Sequence, residues 1–179
     1  MVFSTGVNNQ MKRLILGLII GISELGFAAG TAQRLNQNGV ALCADRNAKT
    51  DSDCYDPVSY LKDQKAEKVG LENSKKYRAK YKDATYVFSS QGHLDAFNQN
   101  PEAFLPQFGG WCAYAVAAKK EKVDIDPKSF HVQDGKLLLF YNGFLSDTRD
   151  TWLHDKAKDS KTYLEEANKN WPSTITKEP

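Results

Sequence analysis

The chain has 179 residues, 41% of them hydrophobic, enough to bury a core without help. Its 24 Lys and Arg against 22 Asp and Glu give a formal net charge of +2, and the lysines are dispersed, with local pairs at Lys75-Lys76 and Lys119-Lys120. That balance excludes the clustered basic face that a nucleic acid or other polyanion requires, so no nucleic-acid partner is expected.

Met11 to Ala29 reads MKRLILGLIIGISELGFAA. Lys12 and Arg13 precede an apolar run from Leu14 to Ile22, and Gly26-Phe27-Ala28 is a small-x-small cleavage site. This is the order of a secretory signal peptide, with Met1 to Gln10 as an extended start. The apolar run is too short to span a bilayer, so an anchoring helix is the weaker reading. The expected organisation is a signal segment over 1–28 and one domain over 29–179. The expected location is periplasmic or secreted, with no stable membrane span after cleavage.

Next, Cys43 to Cys54 reads CADRNAKTDSDC, a polar loop without a large apolar side chain. In an oxidising compartment, two cysteines closing such a loop predict a disulfide. Two unpaired thiols, or a metal pair, are the competing readings. Tyr55 to Tyr60 is expected to be extended or turned, because Pro57 keeps Asp56 out of the helical region. Leu61 to Ser74 reads as a polar connection. Tyr77 to Tyr81 and Thr85 to Phe88 alternate aromatic and polar residues about Lys82-Asp83, which predicts a hairpin.

From Tyr86 to Ala118 the chain is dense in aromatic residues. A strand over Tyr86 to Phe88 is expected to run into a helix from about Ser90 to Gln99. Asn100 then caps a short helix with Pro101 at its first position, and Pro106 stops it. Gly109 and Gly110 permit a tight turn or a close backbone approach. A third helix is predicted from Trp111 to Ala118. Further on, Asp134-Gly135 between Phe130–Val132 and Lys136–Tyr141 is a strong hairpin signal. A long helix is expected from about Ser146 to Asn170, with Leu153, Ala157, Leu164, Ala167 and Trp171 as its apolar stripe and Pro172 as its end. The fold class is therefore α+β: small antiparallel hairpins packed with several helices, and a long C-terminal helix.

These residues resemble the YHS-domain family in its longer, secreted bacterial form. The resemblance rests on YDPVSY (Tyr55 to Tyr60), on TYVFSS followed by LDAFNQNPEAFLPQFGGWCAYAVA (Thr85 to Ala117), on IDPKSF with DGKLLLFYN, and on Asn170-Trp171-Pro172. It implies a metal-associated accessory protein, because shorter YHS modules occur beside copper and heavy-metal transport proteins and bind metal through cysteines. Here Ser59, Ser89 and His93 stand at the positions those cysteines hold in the short modules. Hydroxyls do not replace polarizable thiolates toward a soft metal. The resemblance also makes Cys43 to Cys54 an insertion ahead of YDPVSY.

Two classes of site remain. A copper-type ion, as cofactor or cargo, would draw on His93 and Cys112, two ligands where a closed structural site needs four, with a periplasmic protein partner supplying the remainder. A non-metal module would use an aromatic pocket for a small ligand or a protein, formed by Tyr86, Phe108, Gly109, Gly110, Trp111 and Tyr114. The competing reading of Cys112 is a buried small hydrophobe, and of His93 a structural histidine. No enzyme is expected, since neither zinc-protease spacing nor a phosphate-cradling glycine loop is present.

Overall fold

The computed structural model describes residues 33–144 and 146–179. The expected signal segment over 1–28 lies outside the described residues. The fold is α+β, and no helix among the described residues is long and apolar enough to cross a membrane.

The elements follow in order: α1 (Pro57–Lys62), α2 (Leu71–Lys76), β1 (Arg78–Tyr81), β2 (Ala84–Val87) and α3 (Gln91–Gln99). Then come α4 (Ala113–Lys119), β3 (Asp126–Gln133), β4 (Lys136–Phe140), β5 (Asn142–Gly143), β6 (Ser146–Asp147), α5 (Thr148–His154) and α6 (Ser160–Thr174). Short 3-10 turns at Pro101–Phe104 and Gln107–Gly110 link α3 to α4. The strands pair as three separate antiparallel hairpins. In the β3–β4 hairpin Asp134 and Gly135 both take positive φ, as an Asp-Gly turn requires.

Four elements depart from the sequence expectation. The segment expected to be extended at Tyr55 to Tyr60 contains α1. Asp56 is indeed extended (φ −76°, ψ 115°), but that is the backbone of an N-cap, with Pro57 at the first helical position. Within the supposed connection to Ser74, α2 begins at Leu71. The long C-terminal helix is present as α6, but the span expected from about Ser146 is divided. Asp155 ends α5, Asp159 caps α6 by accepting Thr162 N–H (2.8 Å), and Ala157 falls in the linking segment. Ser146 belongs to β6, and Pro172 sits inside α6, which runs on to Thr174. Helix α4 likewise starts two residues later than expected, since Trp111 and Cys112 are extended.

Two apolar cores result. The first surrounds Phe97 on α3, whose ring meets Tyr86 at 5.1 Å and Phe88 at 5.0 Å. Burying a ring of this size contributes roughly 2–3 kcal/mol. The second core packs Trp152 of α5 against Phe140 and Tyr163, joining β4, α4, α5 and α6. Between them the chain turns through three consecutive left-handed residues, Phe108 (φ 54°), Gly109 (60°) and Gly110 (83°). The two glycines adopt this backbone freely, whereas Phe108 carries a cost of about 1 kcal/mol that the burial of its ring beside Trp171 offsets. The reversal lays Pro106 and Cys112 alongside Leu137 and Leu139 of β4 in bridge pairs.

Cys43 and Cys54 form a disulfide, and Cys112 is free and buried. The bond sits in a small apolar cluster with Val40, Val69 and Val87, so it anchors the polar loop to β2. Thiol counting on denatured, unreduced protein is expected to find one reactive group. Replacing both bridging cysteines by alanine is expected to cost ~3 kcal/mol in denaturant unfolding, from the loop entropy restored to the unfolded chain.

His131 on β3 has its imidazole pushed below the ordinary histidine value, first by burial and then by the Arg149 cation. The neutral form is therefore favoured in the fold. Its contribution is present above the unfolded value near 6.5 and is lost as pH falls through the lower folded value. Thermal midpoints measured at pH 7 and pH 5 should fall less in His131→Gln than in the wild type. An equal fall would remove His131 from the acid response.

Candidate functional site

Ser89 and His93 meet at one buried carboxylate, that of Asp56. Asp56 is fully buried. Its Oδ1 accepts Val58 N–H (2.8 Å), while its Oδ2 accepts both the N–H and the hydroxyl of Ser89 (2.8 Å each). His93 Nδ1 lies 2.7 Å from the same Oδ2, and a carboxylate offers only lone pairs, so Nδ1 carries the hydrogen. His93 Nε2 points away, 3.5 Å from Asp63 Oδ2. Ser59 Oγ lies 2.8 Å from the carbonyl oxygen of Asp56 and 2.9 Å from that of Lys65, its single hydroxyl hydrogen serving one of them at a time, and it accepts Glu67 N–H (3.2 Å).

The local reason is helix capping at two ends. Asp56 caps α1 and Ser90 caps α3, with Ser90 Oγ accepting His93 N–H (3.2 Å). Capping uses one oxygen of Asp56 and leaves the other to reach the start of α3. The result is a closed hydrogen-bond network whose acceptors are already filled. The two nitrogens of His93 face different carboxylates rather than one common point.

Cys112 stands elsewhere, as N-cap of α4. Its Sγ accepts Tyr141 N–H (3.4 Å) and lies 3.4 Å from Thr148 Oγ1. Thr148 gives its hydroxyl hydrogen to Tyr141 O (2.9 Å), so the thiol is the donor to Thr148. Above this group opens a cleft of about 210 Å³. Its lining combines the Cys112 thiol, the apolar Tyr114, Ala115, Val123 and Tyr141, and the polar Lys119, Ser146 and Thr148.

His93 and Cys112 share no hydrogen-bonding neighbour. The first belongs to the α1, β2 and α3 region and the second to α4, β4 and α5. Of the residues expected to form an aromatic pocket, Tyr86 is in the first core and Phe108 in the second. Gly109 and Gly110 form the left-handed turn, where Gly109 O accepts Arg34 N–H (2.8 Å). Trp111 is buried beneath Arg46, leaving Tyr114 as the expected aromatic that lines a cleft.

Tyr114 also borders a wider groove of about 580 Å³ between α4 and α6. Lys120 and Lys169 line it, Lys158 pairs within it with Glu166 (2.6 Å), and the Tyr163 hydroxyl bonds Asp155. That pairing, with the Ala157 N–H, holds the Asp155 carboxyl below its usual range, while burial and then Asp155 push the Tyr163 phenol up. Among the described residues, Cys43, Asp53 and Cys54 place three potential ligand atoms within 4.8 Å of one another. Both sulfurs there are in the disulfide, so neither is a thiolate.

The sequence marks Asp56 as a turn or cap residue and does not reveal its second role. Its partners lie 33 and 37 residues along the chain, and no local spacing encodes them. Comparison with family models, with curated proteins and with solved structures finds no match to this chain.

Asp56→Ala would leave the Val58 and Ser89 amides, the Ser89 hydroxyl and His93 without an acceptor. It is expected to cost about 3 kcal/mol, the scale for breaking a buried charged network. Asp56→Asn, which keeps Oδ1 for the helix cap, should cost less. Denaturant unfolding of both variants measures this, and a loss under 1 kcal/mol in Asp56→Ala would contradict a structural role for the carboxylate.

Proposed function

We propose that this chain is a YHS-like binding module, not an enzyme, which works in the periplasm or outside the cell and takes a small ligand in the cleft over Cys112. One observation carries the reading: the free thiol lines a cleft together with apolar and polar side chains. The disulfide supports an oxidising compartment, as does the signal-like segment at Met11 to Ala29. The resemblance to the YHS family supports a binding role.

The cleft suits a fragment-sized amphipathic ligand. Its apolar body packs on Tyr114, Val123 and Tyr141, and an acidic or hydrogen-bonding end meets Lys119, Ser146 and Thr148. The second reading is a cuprous ion held by the Cys112 thiolate, with a partner protein completing its coordination. It rests on the same thiol, and it draws no support from His93, whose imidazole is engaged with Asp56.

Benzoate is a suitable first probe, combining an apolar ring with a carboxylate. In amide NMR titrations we expect saturable shifts confined to residues 112–123 and 141–148, lost in Ser146→Trp, which fills the mouth. Anaerobic cuprous-ion competition on the wild type, His93→Ala and Cys112→Ser separates the second reading. Affinity lost in Cys112→Ser alone would assign the cleft to the metal. No response to either probe would remove the cleft as a binding site.

A further inference from the structure

A second group of residues is assembled on the other side of the Trp111-Cys112 dipeptide. The disulfide-closed loop carries Arg46 over the Trp111 ring, with Cζ 4.7 Å from the centroid, and Lys122 Nζ lies 5.8 Å from the same point. Arg34 is a third cation here, but its donors are placed on Asp124 (2.9 Å), Cys43 O (2.6 Å) and Ala44 O (3.2 Å).

The other donors are not placed. Arg46 Nε, Trp111 Nε1 and Lys122 Nζ are all buried and lack a hydrogen-bond partner. Lys122 is 6% exposed and Trp111 2%. Buried N–H groups in folded proteins are nearly always bonded, and a buried ammonium without a counter-charge is costlier than a neutral amide. The carboxylate of this cluster is Asp124, 56% exposed, bonded to Arg34 and 3.8 Å from Arg46 Nη1. Among the described residues no carboxylate is within ion-pair distance of Lys122, and Glu178 acts on it from farther away. Burial, with Arg46 adding to it, pushes the Lys122 ammonium below its ordinary value.

We propose that Arg46, Lys122 and Trp111 form a binding site for a small oxyanion, the carboxylate or phosphate group of a free solute. Three donors on three side chains call for an acceptor with several lone pairs on separate oxygens. Two cations supply the charge, Lys122 with no carboxylate in ion-pair distance and Arg46 with only the exposed Asp124, which Arg34 also holds. Arg46 is about one-third exposed, so its side chain forms the way in from solvent. The loop that presents it is fixed at its base by the Cys43–Cys54 bond, which gives that bond a part in the site. The site is separate from the Cys112 cleft and stands or falls independently of it.

Thermal unfolding of the full chain at constant ionic strength tests this, with sodium phosphate or acetate exchanged against sodium chloride. The midpoint is expected to rise saturably with phosphate or acetate and to stay level in chloride, because a ligand of the native state alone stabilises by mass action. In Lys122→Met the rise should disappear and the anion-free midpoint should be higher, since an unpaired buried charge is removed. In Arg46→Gln the half-saturating concentration should increase about tenfold or more, and a control variant, Lys62→Met, should behave as wild type. If Lys122→Met does not fold, calorimetric titration of phosphate into Arg46→Gln and wild type carries the test. Equal responses to chloride and phosphate, or an undiminished response in the Lys122 or Arg46 variant, would overturn the site.

Discussion

A single buried carboxylate holds the first half of this structure in register. Asp56 has no exposure to water, and an ion in that position is tolerated only when its oxygens are filled. Three stretches fill them: the first turn of α1, Ser89 two residues beyond β2, and the first turn of α3. Fixing α1 seats Tyr60, whose hydroxyl donates to Pro127 O (2.9 Å) and whose ring meets Phe130 edge-on at 4.9 Å, so the start of β3 is tied in as well. Fixing α3 delivers Phe97 to the centre of the aromatic core. Ser89 and His93 thereby serve a structural purpose, and Ser59 bonds the backbone carbonyl of Asp56 beside them.

The second half depends on the left-handed turn at Phe108 to Gly110. It sends the following dipeptide out in extended backbone beside β4, and successive side chains of extended backbone face opposite ways. Trp111 therefore meets Arg46 and Lys122, while Cys112 faces Tyr141, Thr148 and the cleft. Two candidate sites of different chemistry share one backbone support. Cys112 N–H bonds Val123 O (3.0 Å), which holds the strand-like stretch against the segment carrying Lys122.

Local chemistry in the sequence reached a good part of this. Asp-Gly specified the β3–β4 turn, the paired glycines specified the reversal before Trp111, and a polar loop between two cysteines specified the bridge. Each of these is decided by the conformational range of one or two residues, or by the loop they close, so neighbours suffice. The same local reading missed α1, because Asp-Pro is equally the signature of a turn and of a helix start. It also merged α5 and α6, because the apolar spacing continues across a break that Asp155 and Asp159 impose through hydrogen bonds to backbone.

What tertiary structure alone decided is which polar groups meet. Asp56 with His93, Cys112 with Thr148, and Arg46 and Lys122 with Trp111 come from separate elements, and tertiary packing brings each set together. Composition and spacing record the kind of group at a position. They do not record its burial, and burial makes Asp56 a staple, leaves Lys122 without a counter-charge, and turns most of the expected aromatic pocket into core.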